Sequence, residues 1–204
     1  MRYLMFVLLT LAALIAPTHA ADFYKGKTLT LLINYPPGGP TDIEGRVIAR
    51  HLAEHIPGKP TVIVKNMGGA TGNTGANFLG EIAAKDGLTL GFFTWNPVDQ
   101  ILGAEGLRVK YNDFVFIAGV QQPTIAYARK DTPPGLAKEA TEELRAAYRA
   151  LWKNEAFMAE YEKTVKYRAG LIVGADGEKL IASLGQVKPE LVAFLKDYTT
   201  AIAK

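Results

Sequence analysis

The sequence predicts an α/β fold: a lobe with a largely parallel sheet, followed by C-terminal helices. Three observations predict it. Apolar runs of strand length alternate with amphipathic runs of helical length between Lys27 and Arg129. Two successive strand-to-helix junctions are rich in glycine. Beyond residue 130 the chain turns to Ala, Glu, Leu, Lys and Arg, a helix-forming mixture.

Lys27–Asn34, KTLTLLIN, reads as the first buried strand. The loop YPPGGP follows, and Thr41 opens a helix. Thr41 and Glu44 have the spacing of a capping box, and Ile43, Val47, Ile48 and Leu52 supply an apolar face. His55–Pro60, HIPGKP, stops this helix. Thr61–Asn66, TVIVKN, is the second strand, and Met67–Gly75, MGGATGNTG, is the second glycine loop. The next helix is expected to turn Phe78, Leu79, Ile82 and Ala83 inward and to end at Lys85–Gly87. Leu88–Trp95, Phe114–Val120 and Thr124–Arg129 read as strands three to five. Alternating strands and helices imply βαβ units. After Lys130–Gly135, KDTPPG, helices are expected within Thr141–Lys166, at Glu178–Leu184 and at Pro189–Ala203, with Pro189 in the last helix's first turn.

The organisation expected is therefore residues 1–20 as a signal peptide, 21–129 as an α/β ligand-binding lobe and 130–204 as a C-terminal helical segment. In MRYLMFVLLTLAALIAPTHA, Arg2 precedes an apolar stretch from Leu4 to Ala16, and Thr18 and Ala20 are small residues before a cut after Ala20. This is the layout of a secretory signal. The alternative is a membrane anchor, but the apolar stretch falls short of the roughly 20 residues of a span. A cleaved signal implies an exported mature chain that starts near Ala21.

Composition narrows the function classes. Of 204 residues, 49% are hydrophobic and 21% charged, as in ordinary globular chains. Net charge is +3, with Lys and Arg scattered rather than gathered into a stripe, which argues against a nucleic-acid groove. The chain has no cysteine, so disulfides, zinc–thiolate sites and thiol catalysis are excluded. No G-x-S-x-G or other nucleophile–base arrangement is visible, and no cofactor is called for.

In an open α/β sheet, ligands bind beyond the carboxyl ends of the strands, where both glycine loops lie. Each stands at a helix N-terminus, whose unpaired N–H groups and dipole favour an anion. Glycine lets a ligand approach the backbone, although glycines in such loops also serve as plain turns. Neither loop matches a P-loop, and Gly69, Gly72 and Gly75 lack the dinucleotide spacing. The loops carry no central Lys or Arg for a phosphate, so a carboxylate fits better, held by N–H groups and the hydroxyls of Thr41 or Thr71. Asp42 has two readings: a first-turn carboxylate stabilised by the helix dipole, or an acceptor for a ligand hydroxyl or amine. Tyr35 and Trp95 end strands at the same rim, where they wall a pocket or simply pack.

A competing pattern is HLAEH, in which His51, Glu54 and His55 match H-x-x-E-H. Two His four residues apart share a helix face and can ligate zinc. The pair also suits the end of a helix electrostatically, far from the glycine loops, and no third ligand stands out.

PPGGPTDIEGRVIARHL, TVIVKNMGGATGNTGANFL and KDGLTLGFF together resemble the substrate-binding proteins of tripartite tricarboxylate transporters, the TctC or Bug-type periplasmic receptors. The resemblance covers about Asp22 to Gly135 strongly and the last helices more loosely. It implies a periplasmic-binding-protein-like lobe of type II, a non-enzymatic receptor and a small organic carboxylate ligand. It also implies membrane components of a tripartite transporter as partners. By motif, it assigns ligand contacts to Gly38, Gly39, Thr41 and Asp42 in the first loop. In the second loop it assigns Gly69, Ala70, Gly72 and Asn73, and after the third strand Thr94 and Asn96; Tyr35 joins the candidate ligand contacts from its place at the rim. Pro40 and Met67 depart from the family pattern, which often has Gly and Pro there. The chain is also much shorter than its family: after TIAYARKDTPPG it passes almost directly to terminal-type helices, so the second lobe is expected to be reduced or absent.

That matters energetically. Micromolar binding requires about 8 kcal/mol, while a helix N-terminus contributes at most about 2 kcal/mol in a partly buried site. A single lobe is therefore expected to bind weakly unless a partner or a second copy of the chain covers the open cleft. The alternative function is a non-transporting remnant serving as an interaction module.

Overall fold

A computed structural model describes residues 23–120, 124–129, 136–183 and 186–202. The expected signal peptide and the KDTPPG junction lie outside the described residues. Six strands form one mixed sheet in the order β2-β1-β3-β5-β4-β6. They are β1 (Thr28–Ile33), β2 (Thr61–Asn66), β3 (Thr89–Thr94), β4 (Phe114–Val120), β5 (Thr124–Arg129) and β6 (Leu171–Val173). β1 pairs in parallel with β2 and β3, while β5 runs antiparallel to both β3 and β4. β6 is antiparallel to β4. Four strands thus share one direction, as the largely parallel reading requires. β6 is a strand that the sequence reading did not contain: three residues at a sheet edge are too few to show a period.

The helices are α1 (Pro40–His55), α2 (Asn73–Asn77), α3 (Pro97–Leu102), α4 (Leu136–Leu151), α5 (Glu155–Val165), α6 (Ala175–Ser183) and α7 (Pro189–Ile202). A 3-10 turn, Ala70–Gly72, precedes α2, and a π-helical turn, Phe78–Ile82, continues it. Among the described residues no helix is long and apolar enough to cross a membrane.

Helices cover both faces of the sheet, which explains why β1 reads as a nearly continuous apolar run. On one face Leu29, Leu31 and Ile33 join Val47, Ile48 and Leu52 of α1 with Leu144, Tyr148, Leu151, Phe157 and Tyr161 of α4 and α5. The C-terminal helices therefore share the core of the strands. On the other face Leu32, Leu79, Phe93, Tyr111, Phe114, Phe116, Tyr127 and Ile181 form a second, aromatic-rich cluster. Arg129, buried at the end of β5, donates to the carbonyls of Leu79 and Ala83 and so satisfies the end of the π turn.

Two helix expectations are corrected. Ile43 is 42% exposed and Ile82 69% exposed. At Ile43 the apolar face of α1 begins only one turn later, with Val47. At Ile82 the π turn rotates the side chain away from the direction that a continuous 3.6-residue period assigns. The capping box is also absent. Gly39 is the N-cap without a side-chain bond, and Pro40 takes the first helical position. The Thr41 hydroxyl turns to Thr94, and Glu44 accepts from the Tyr161 hydroxyl of α5.

Candidate functional site

The register aligns Ile33 with Asn66 on one side and with Phe92 on the other, so β1, β2 and β3 end at the same margin of the sheet. Both glycine loops spring from that margin. A polar residue ends each strand: Asn34 after β1, Asn66 in β2 and Thr94 in β3. Asn34 is 1% exposed. Its Nδ2 donates to the Thr94 carbonyl at 3.1 Å and to the Gly72 carbonyl at 3.3 Å. Its Oδ1 accepts from the Thr94 N–H at 3.1 Å. One amide thus joins the first strand end to the third strand and to the second loop.

The first loop is organised by Asp42. Its carboxylate accepts from the Gly38 N–H at 2.8 Å, from Arg46 Nε at 2.9 Å and from Asn66 Nδ2 at 2.8 Å. Asn66 Nδ2 also reaches the Tyr35 carbonyl at 2.9 Å. Burial alone raises the carboxyl pKa, but the bonds from Arg46, Gly38 and Asn66 outweigh it and hold it below its ordinary value. Asp42 is 2% exposed. In the structure Asp42 ties the first loop together and consumes one backbone donor of the expected cradle. The N–H groups of the first turn of α1 remain without intrahelical partners.

The second loop is strained. Residues 69 to 72 all have positive φ, at 127°, 46°, 53° and 97°, although Ala70 and Thr71 carry side chains. Backbone of this kind persists only where its surroundings hold it. The Tyr35 hydroxyl donates to the Thr71 carbonyl at 3.2 Å. Asp99, in the first turn of α3, accepts from Asn73 Nδ2 at 2.8 Å; the Thr71 hydroxyl shares its one proton between the Ala70 carbonyl at 2.7 Å and Asp99 at 3.2 Å. Gly69 O accepts from the Gly72 N–H at 2.9 Å, closing the turn. Gly68 packs on Pro36, where a Cβ would come within 2.8 Å of the proline Cδ. The two loops therefore touch.

The predicted site residues divide accordingly. Tyr35, Gly38, Gly39 and Thr41 line a concavity of about 370 Å³ together with Pro36, Pro37 and Pro40. The Thr41 and Thr94 hydroxyls meet at 2.6 Å, tying the start of α1 to the end of β3. Gly69, Ala70, Gly72 and Asn73 form the adjoining strained turn. Asn96 caps α3, its Oδ1 accepting from the Val98 N–H at 3.2 Å. The sequence reading missed Asn34, Asn66 and Asp99. A polar residue ending an apolar strand was a signal for the first two; nothing local marked Asp99.

The His pair is arranged otherwise. His51 Nε2 lies 2.6 Å from Glu160, which also pairs with Arg50. His55 Nε2 lies 3.3 Å from Asn154 Nδ2, and Glu54 pairs with Lys59. Both His thus face α5 and its N-cap. Among the described residues no group of three or more acidic or His side chains is placed to hold a metal ion.

A second concavity, of about 440 Å³, lies between β4, β5 and α6 over the aromatic cluster of Tyr111, Phe114, Phe116 and Tyr127. Asn112 and Glu178, two of its lining residues, are engaged with Gln100 and Arg145 respectively.

No protein-family model matches the chain. The chain is 38% identical over 84 residues to Protein BugT of Bordetella pertussis, a stretch that is 41% of this chain and 24% of that relative. The match thus spans about a quarter of the relative's length. Among solved structures, the fold is similar to a TctC solute binding protein from Polaromonas. That likeness has a TM-score of 0.66 at 14% identity and covers 87% of this chain and 99% of the other. The periplasmic binding protein BugD is similar with a TM-score of 0.58 at 13% identity, over 85% of this chain and 98% of the other. The chain thus shares its fold with the TctC solute binding protein and with BugD, and a stretch of 84 residues with BugT.

Proposed function

We propose that the chain is a periplasmic, non-enzymatic receptor that binds a small organic carboxylate and presents it to the membrane components of a tripartite tricarboxylate-type transporter. The observation that supports this most is the joining of two glycine loops at one sheet margin, beside a concavity bordered by the first turn of α1. The volume suits a small acid. The N–H groups of that first turn and the helix dipole supply the attraction for its charge. The lobe of residues 21–129 carries the site, and the reduced second lobe leaves it open, so the affinity expected is weak. The relatives' names, TctC solute binding protein and periplasmic binding protein BugD, support the same class.

A thermal-shift screen with mono-, di- and tricarboxylates, followed by calorimetry on the hits, tests the reading. Saturable stabilisation by one acid is expected, with a Kd weaker than micromolar. No stabilisation by any acid would overturn it.

One observation favours a second reading, the interaction module. Helix α7 exposes Leu191, Phe194 and Tyr198 by 47%, 60% and 55% along one side. Silence in the acid screen together with concentration-dependent self-association would select that reading.

A further inference from the structure

Asp42 and Asp99 are the two carboxylates built into the loops, and they differ in compensation. Asp42 is neutralised by Arg46. Asp99 has no Lys or Arg partner among the described residues; its Oδ2 accepts from Asn73 Nδ2 and the Thr71 hydroxyl. They are two of the three polar side chains of the second loop, the third being Thr74, and Thr71 shares its one hydroxyl proton with the Ala70 carbonyl at 2.7 Å. Asp99 therefore takes up donor capacity of the second loop and brings a negative charge to that loop, with no Lys or Arg beside it among the described residues. The chain of contacts to the concavity is short: Tyr35 lines it, the Tyr35 hydroxyl bonds the Thr71 carbonyl, and the Thr71 hydroxyl bonds Asp99. The Tyr111 hydroxyl senses the same neighbourhood. Burial raises its pKa, and Asp99 and Tyr35 raise it further.

We infer that Asp99 is a specificity-determining residue that excludes a second carboxylate, so that the ligand is a monoanion. Its one acid group meets the start of α1, and a neutral hydrogen-bonding end meets the second loop. This inference rests on the carboxylate-receptor reading above. The physical basis is like-charge repulsion, in a site where first-turn amides favour an anion on one side only.

Succinamate and succinate provide the test, since they match in size and differ by one acid group exchanged for an amide. Calorimetry on the wild-type chain should show succinamate binding about fivefold or more tighter than succinate, the scale of one partly screened charge contact. Raising ionic strength should narrow that gap without any mutation. Asp99→Asn keeps an acceptor for Asn73 and removes the charge, so its ratio should fall to within about twofold or reverse. A merely structural role would weaken both ligands alike and leave the ratio unchanged. An unchanged ratio in Asp99→Asn, or a wild-type preference for succinate, overturns the inference while the receptor reading stands. Failure of both chains to bind any monocarboxylate, dicarboxylate or amide overturns both.

Discussion

The Gly38 N–H donates to the Asp42 carboxylate over 2.8 Å, so the first glycine loop is closed by a side chain from the helix it introduces. The same carboxylate binds Arg46 and Asn66. Truncation to Asp42→Ala strands three donors at once. It should destabilise the chain by about 2–3 kcal/mol, the scale of charge-assisted bonds. Arg46 is 45% exposed and leaves Asp42 its other two donors, so Arg46→Ala should cost less, about 1 kcal/mol. Urea unfolding of the two variants checks the order.

Acid sensitivity follows from the same group. The folded pKa of Asp42 lies below its ordinary value. Its contribution is therefore fully present above the unfolded value of about 3.9 and is lost as pH falls through the folded one. Glu160 acts in the same direction, held low by His51 and Arg50. Stability measured by denaturant should hold near neutrality and decline below about pH 4. Asp42→Asn should flatten that acid limb; an unaltered slope would show that Asp42 is not its source.

Asn34 joins β1 to Thr94 and to the second loop through three bonds. Asn34→Ala leaves buried backbone groups of Thr94 without this partner. A loss of about 2–3 kcal/mol is expected by chemical denaturation. Asn34→Asp should be at least as harmful, because a carboxylate would then face two carbonyl oxygens.

Gly72 and Gly38 separate two costs of adding a Cβ. Gly38, at φ 82°, faces open space, so Gly38→Ala carries backbone strain alone, about 1–2 kcal/mol. Gly72, at φ 97°, would also drive its Cβ into Asn34 Nδ2. Gly72→Ala should therefore cost clearly more than Gly38→Ala and should melt at the lower temperature.

The Tyr161 hydroxyl bonds Glu44 in the buried contact between α1 and α5. Tyr161→Phe removes that donor from a buried carboxylate while keeping the ring. A cost of about 2 kcal/mol is expected, with little effect on ligand affinity, since neither residue lines the concavity. Equal losses of stability and binding would contradict this placement.

The amino-acid sequence by itself determined where β1 to β5 lie, where α1 and the last helix run, and that two glycine loops follow the first two strands. Those features are local, because apolar period, β-branching and turn residues act within a few positions of one another. Only the tertiary structure decided that β5 runs backwards between β3 and β4, that Leu171–Val173 closes the sheet, and that Ile82 faces outward. It also decided that Asp42 and Asp99 claim donors expected for a ligand. Asp99 and Asn73 are 26 residues apart and Asn34 and Thr94 are 60 apart. The partner that satisfies a buried polar atom is chosen by proximity in space, and a pair brought together across the sheet leaves no periodic trace along the chain.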